Sequence, residues 1–187
     1  MSPIVVLLII VGLFVLAFVV LYNSLVAKRN EVEEAYSGIE VQMKRRFDLI
    51  PNLVNTVKGY AEHEKSVLNS VTEARTRAMG ATAVGDVAQT ENMLSSTLKS
   101  LFAVAENYPD LKADGNFVKL QDELADTEDK MMAARRWYNS AVKTYNVALE
   151  TVPTNFIGSM FKFMKREFFE LAADERAAAE KAPEVKF

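Results

Sequence analysis

The chain has 187 residues, with 22 Lys and Arg against 25 Asp and Glu, a formal charge of −3, no Cys and a single His. That length suits one domain plus an appendage. The composition excludes disulfides, thiolate metal sites, cysteine nucleophiles, multi-histidine metal centres and most hydrolase triads, and the near-neutral balance argues against a dedicated nucleic-acid binder.

From Ile4 to Leu21 the chain reads IVVLLIIVGLFVLAFVVL, eighteen residues without a charge, amide or hydroxyl. As a helix this run covers roughly 27 Å, close to a bilayer hydrocarbon core of about 30 Å. A cleaved signal peptide is the competing reading, but it needs a basic n-region and a small-x-small cleavage site. The run is instead preceded by Met1-Ser2-Pro3 and followed by Tyr22-Asn23-Ser24-Leu25-Val26. Residues 1–22 are therefore expected to be a retained anchor, with Tyr22 at the membrane interface. Lys28 and Arg29 flank its C-terminal end. Basic flanking residues favour the cytoplasmic side, so the expected topology is a single pass through the bacterial inner membrane, N-terminus outside.

Beyond Asn30 the apolar spacing is helical. Val32, Tyr36, Ile39, Met43, Phe47, Ile50, Val54, Val57, Ala61, Glu64, Leu68, Val71, Arg75 and Ala78 step by threes and fours, with one four-four slip around Phe47. This predicts a first helix over 30–79, either kinked at Pro51 or broken there with Asp48 as cap; the unbroken stripe favours the kink. Gly80 to Gly85 ends it, and Asp86 is the expected N-cap of a second helix over 86–107, carrying Val87, Leu94, Leu98, Leu101 and Ala105. A third helix over 116–150 has the most regular heptads, from Phe117 through Leu124, Met131 and Tyr138 to Tyr145. The predicted class is all-α: a single N-terminal transmembrane helix followed by an up-and-down antiparallel bundle of three long helices and a short C-terminal helical segment. Residues 23–170 form the bundle domain, and 171–187 are expected to be a mobile tail.

The second helix is too short to return along the whole of the first. Val32, Tyr36, Ile39 and Met43 would then form a wet apolar stripe. Either that stripe packs against further copies of the chain, or the third helix or C-terminal segment covers it.

The polar clusters favour bland readings. His63 in Tyr60-Ala61-Glu62-His63-Glu64 has no second His to complete a dimetal centre, and reads as a surface or interface residue. Asp122, Asp126 and Asp129 lie along one helix side without a calcium loop, as a solvated face. Lys44, Arg45 and Arg46 sit about 35 Å along a straight helix from the apolar run, too far for direct lipid contact, and are expected to pair with an acidic helix or a neighbouring subunit. With Asp48 and Asn52 they form the predicted interaction patch. Phe156, Phe161, Phe163 and Phe168 alternate with Lys162, Lys165 and Arg166; such a segment either lies in a membrane interface or caps the bundle, and an upright bundle would start it far from the bilayer. No phosphate-cradling loop or nucleophile elbow is present.

Several strings together are specific: Tyr22-Asn-Ser-Leu-Val26, Lys44-Arg-Arg-Phe-Asp-Leu-Ile-Pro-Asn-Leu-Val54, Val57-Lys-Gly-Tyr60, Ala74-Arg75, Arg135-Arg136, Tyr138-Asn139, Tyr145-Asn146 and Pro183-Glu-Val-Lys-Phe187. Over essentially the whole chain the sequence resembles the bacterial LemA family. The resemblance implies one N-terminal transmembrane helix, a small external N-terminus and a helical bundle; the family has no established catalytic activity, so the resemblance sets architecture and leaves function open. The anchor, the long heptads, the stripe at 32–43 and the lack of a reactive constellation make the expected function a non-enzymatic membrane-anchored scaffold without cofactor, small-molecule substrate or nucleic-acid partner. It is held in the bilayer by residues 4–21, self-associates and presents its bundle to envelope proteins. The alternative is a peripheral lipid-binding or membrane-remodelling protein acting through 156–169.

Overall fold

A computed structural model describes residues 2–169; the expected tail at 171–187 lies outside them. Among the described residues the structure is all-helical: α1 Pro3–Tyr60, α2 Lys65–Gly80, α3 Val84–Ala105, α4 Pro109–Lys112, α5 Gly115–Glu150 and α6 Thr154–Met160. The class is the expected helical bundle, and its first helix begins in the apolar run.

The predicted helix over 30–79 divides, but not at proline. α1 passes through Pro51 without interruption. Proline has no N–H to donate to the carbonyl of Phe47, four residues back. Arg75 of α2 supplies the missing donor: its Nε lies 2.8 Å from that oxygen. The division falls instead at Ala61–Glu64, where four successive polar residues, Glu62 to Lys65, cross the apolar stripe. A charge on that stripe could be buried only with a partner. The chain turns there, and the Glu64 carboxylate accepts from Tyr108 Oη at 3.0 Å. α2 runs back along α1 and buries Leu68, Val71, Ala74 and Ala78.

The second predicted helix begins two residues earlier than expected. Ala83 occupies the N-cap without a side-chain hydrogen bond, and Asp86 sits in the first turn, where its charge meets the positive end of the helix dipole. The cap that the sequence conceals belongs to α5. Asp114 Oδ1 accepts from the backbone N–H groups of Asn116 and Phe117, both at 2.9 Å, and Tyr60 Oη donates to Oδ2 at 2.9 Å. These donors, with the Phe117 N–H the largest contributor, hold the Asp114 carboxyl below the ordinary aspartate range.

Contacts divide the chain into two units: residues up to Gly38 with Ala134–Glu167, and Ile39–Ala133 with Phe168 and Phe169. In the second unit, the C-terminal part of α1, α2, α3 and the N-terminal part of α5 enclose Ile50, Leu53, Val57, Leu94, Leu98, Leu101, Phe117 and Leu124. In the first unit, Leu25, Val32, Ala35, Tyr138, Ala141, Val142, Tyr145 and Ile157 are buried, and the rings of Tyr36 and Tyr138 lie 5.6 Å apart. Of the two readings of the stripe at 32–43, cover within the chain is the one its burial supports. Val32 and Ile39 are 2% and 0% exposed, Met43 is buried and Tyr36 half-buried. The 36-residue α5 and the segment after α6 supply the cover that a shorter second helix could not.

Two outcomes follow. Replacing Arg75 with Ala leaves the Phe47 carbonyl unsatisfied and should lower denaturant stability by about 1–3 kcal/mol, while Pro51→Ala in that background, by restoring an N–H, should recover part of the loss. Because the folded Asp114 carboxyl titrates below its unfolded value, its contribution is complete above about pH 4 and fades as pH falls through the lowered folded value. Asp114→Asn keeps an N-capping side chain but loses the charge, so the acid limb of its stability profile, followed by circular dichroism, should be shallower than that of the parent.

Candidate functional site

The predicted patch at Lys44–Asn52 resolves into two layers. Arg46 is 4% exposed and Glu91 of α3 is 0% exposed, and they pair at 3.1 Å; Glu128 of α5 closes on the other guanidinium nitrogen, and Ser95 donates to the same carboxylate at 3.3 Å. Arg45 reaches Asp126 at 2.7 Å, and Lys130 adds a second cation to Asp126 at 2.8 Å. Hydrogen bonds from Lys130 and then Arg45 hold the Asp126 carboxyl below its ordinary range. Intrachain pairing with an acidic helix, one of the two readings for the basic cluster, is what Arg45 and Arg46 make. Lys44, Asp48 and Asn52 stay on the exposed side of α1, with Lys44 and Asp48 paired at 3.0 Å.

The burial of Arg46 was written in the spacing. The four-four slip at Phe47 marks the point where the inward position passes to Arg46, in the 4-3-4 order of Ile39, Met43, Arg46 and Ile50. The seven-residue step from Val87 to Leu94 likewise straddles Glu91, which fills the inward position between them. Such a node costs desolvation on every charge and is sustained only while all partners are present. Asp122 and Asp129 are exposed, His63 is exposed in the turn after α1, and no cluster of three or more potential metal-ligating side chains occurs among the described residues.

The second cluster lies in the first unit. Only Thr154–Met160 of the Phe-rich segment is helical; residues 161–169 form an irregular strap. Gly158 lets α6 approach α5 closely, since a Cβ there would stand 2.9 Å from Leu149. Asn146 fastens the strap as a peptide group would. Its Nδ2 donates to the Arg166 carbonyl at 2.9 Å and its Oδ1 accepts from the Arg166 N–H at 3.0 Å. Tyr138 Oη donates to the Glu167 carbonyl at 2.9 Å, and Arg166 pairs with Glu33 at 2.9 Å. Nothing but the placement of Asn inside a heptad helix, where it is a weak former, signalled these roles.

This path sets Phe161 against the last turn of the apolar run. Its ring lies 4.7 Å from Tyr22 and 6.0 Å from Phe18; Phe163 lies 6.0 Å from Tyr22 and beneath the Arg29 guanidinium at 5.5 Å. An upright bundle was expected to start this segment far from the bilayer; within the first unit the segment instead lies beside the end of the apolar run, with Phe161 against Phe18 and Tyr22. Phe156, Met160, Phe161 and Met164 are exposed there; Phe168, also exposed, belongs to the second unit.

The class these features define is a helical-bundle protein with one N-terminal helix long and apolar enough to cross a membrane. The sequence profile of the LemA family matches residues 35–187, and the chain belongs to that family. It is 26% identical over 171 residues to Protein LemA of Metamycoplasma hominis, covering 89% of this chain and 76% of that relative. It is 25% identical over 183 residues to Magnetosome protein MamQ 2 of Paramagnetospirillum magneticum, covering 84% and 67%. Magnetosome protein MamQ of Magnetospirillum gryphiswaldense is 23% identical over 182 residues, covering 83% and 67%.

The ionic node makes a specific forecast. Glu91→Ala takes one of two carboxylates from the buried Arg46, leaving Glu128, and should destabilise by up to about 3–5 kcal/mol, whereas the paired change Arg46→Met with Glu91→Leu should cost far less. Urea denaturation of the single and double variants measures the difference.

Proposed function

We propose that this chain is a non-enzymatic, membrane-anchored helical scaffold that self-associates and presents its bundle to other envelope proteins. The observation that carries the reading is the continuity of α1. One helix runs from the apolar residues 4–21 through Tyr22 and Asn30 into the bundle, and the strap packs its own aromatics on the last apolar turn. A segment so joined to the body belongs to the working protein, which supports a retained anchor over a discarded leader. Lys28 and Arg29, at the C-terminal end of the apolar run, support a topology with the C-terminal body in the cytoplasm and the short N-terminus outside.

Self-association does not use Val32, Ile39 and Met43, whose burial removes the reason for placing it there. The reading assigns it to the exposed outer face of α1, where Val41, Lys44, Asp48 and Asn52 follow one another at helical spacing.

Because the sequence has no Cys, single cysteines report cleanly. With Ser2→Cys, a membrane-impermeant maleimide should label intact spheroplasts; with Lys119→Cys, it should label only after lysis. The reverse pattern inverts the topology. Full-length protein in mild detergent should migrate as a regular multimer and cross-link through Asp48→Cys; strictly monomeric particles would remove self-association from the proposal.

A further inference from the structure

Two cations in the strap region have no carboxylate. Lys165 and Arg166 are paired with Glu150 and Glu33. Among the described residues, Arg29 and Lys162 have no ion-pair partner, and Arg29 Nε is buried without a hydrogen-bond acceptor. Both line an open cleft of about 260 Å³ whose wall also includes Tyr145, Phe161 and Phe163.

Lys162 occupies this place against its backbone preference. α6 ends in a turn that joins Phe163 N–H to the Gly158 carbonyl at 2.9 Å and Lys162 N–H to the Ser159 carbonyl at 3.3 Å. This is the paired 6→1 and 5→2 pattern in which the residue after the cap is left-handed. That residue is Lys162, at φ 56°, where glycine is the unstrained choice. A ligand for its ammonium group would offset that strain.

We propose that Arg29 and Lys162 bind the phosphate of an anionic phospholipid headgroup, with Phe161, Phe156, Met160 and Met164 set in the interfacial layer beside it. The inference rests on the reading that residues 4–21 cross a bilayer, and the site is continuous with that anchor. Tyr22 marks the boundary, and Phe161 touches Phe18, about 6 Å deeper along the helix. Arg29 follows Tyr22 by about 10 Å of helix. Helical side chains lean toward their N-terminus, which in α1 is toward the membrane. The guanidinium accordingly reaches back over Phe163, which itself packs on Tyr22. That puts a cation at headgroup depth, the snorkelling arrangement of a long basic side chain. Apolar side chains below and uncompensated positive charge above match an anionic lipid and leave a zwitterionic one with an unanswered ammonium group.

The test uses the full-length protein in detergent, exposed to equal amounts of phosphatidylglycerol and phosphatidylcholine and read by native mass spectrometry. The wild type should retain phosphatidylglycerol preferentially. Lys162→Gly relieves the left-handed strain, so it should keep its helicity and thermal stability while losing about fivefold of the preference, the expected weight of one cation near an anionic surface. Adding Arg29→Gln should abolish the preference, and Lys119→Gln, on the far part of α5, should leave it intact. Equal retention of the two lipids by wild type, or a preference that survives in the Arg29→Gln, Lys162→Gly variant, overturns the proposal. So does displacement of the lipid by an equal concentration of inorganic phosphate, which would assign the cleft to the free anion. Carbonate extraction of native membranes separates the two levels: release of the protein into the supernatant defeats the anchored-scaffold reading itself, whereas a pelleted protein without lipid preference defeats only the headgroup site.

Discussion

An apolar helix that continues past its apolar run must hide the stripe it carries forward, and the rest of this structure depends on how that is done. Leu25, Val32 and Ala35 continue the apolar character of α1 beyond Leu21, and all three are buried by the chain itself. The cover comes from the far end of α5, through Tyr138 and Tyr145, and from the strap beyond α6. Within the first unit, the chain beyond α5 and α6 brings Phe161 and Phe163 to Tyr22, where no local feature of their sequence would have put them. Hydrophobic burial along α1 thus determines where the basic, Phe-rich segment ends up.

The second unit is organised by a different demand. Three of its helices converge on charges that cannot be left alone. Arg46 is enclosed by Glu91 and Glu128, and Arg75 attends the carbonyl that Pro51 leaves open. Each arginine answers a buried polar need created elsewhere in the chain, so both read as fixtures of the packing. Ionic contacts of this kind specify which helices meet and in what register more than they add to stability.

Much of the architecture could be read from spacing. The apolar run, the stripes of α3 and α5 and the continuity through Pro51 follow from periodicity, because each is a local property of one helix. What stayed hidden was relational. The four-four slip at Phe47 and the gap between Val87 and Leu94 were visible, but only a packed structure shows that Arg46 and Glu91 fill those positions together. The turn at Ala61–Glu64 replaced a predicted continuous helix because a charged stripe position found Tyr108, a partner far away in sequence. A C-terminal segment folded back over α1 was one of two open readings, but its fastening was hardly legible: Asn146 and Tyr138 hold it through main-chain atoms of Arg166 and Glu167, which carry no sequence pattern.

That last attachment has an evolutionary consequence. The grip acts on the peptide groups of Arg166 and Glu167, so exchange of those two side chains would leave the hydrogen bonds from Asn146 and Tyr138 in place. Loss of Asn146 or Tyr138 would release the strap whatever its own sequence, so constraint on its path falls on α5 and not on the segment that is held.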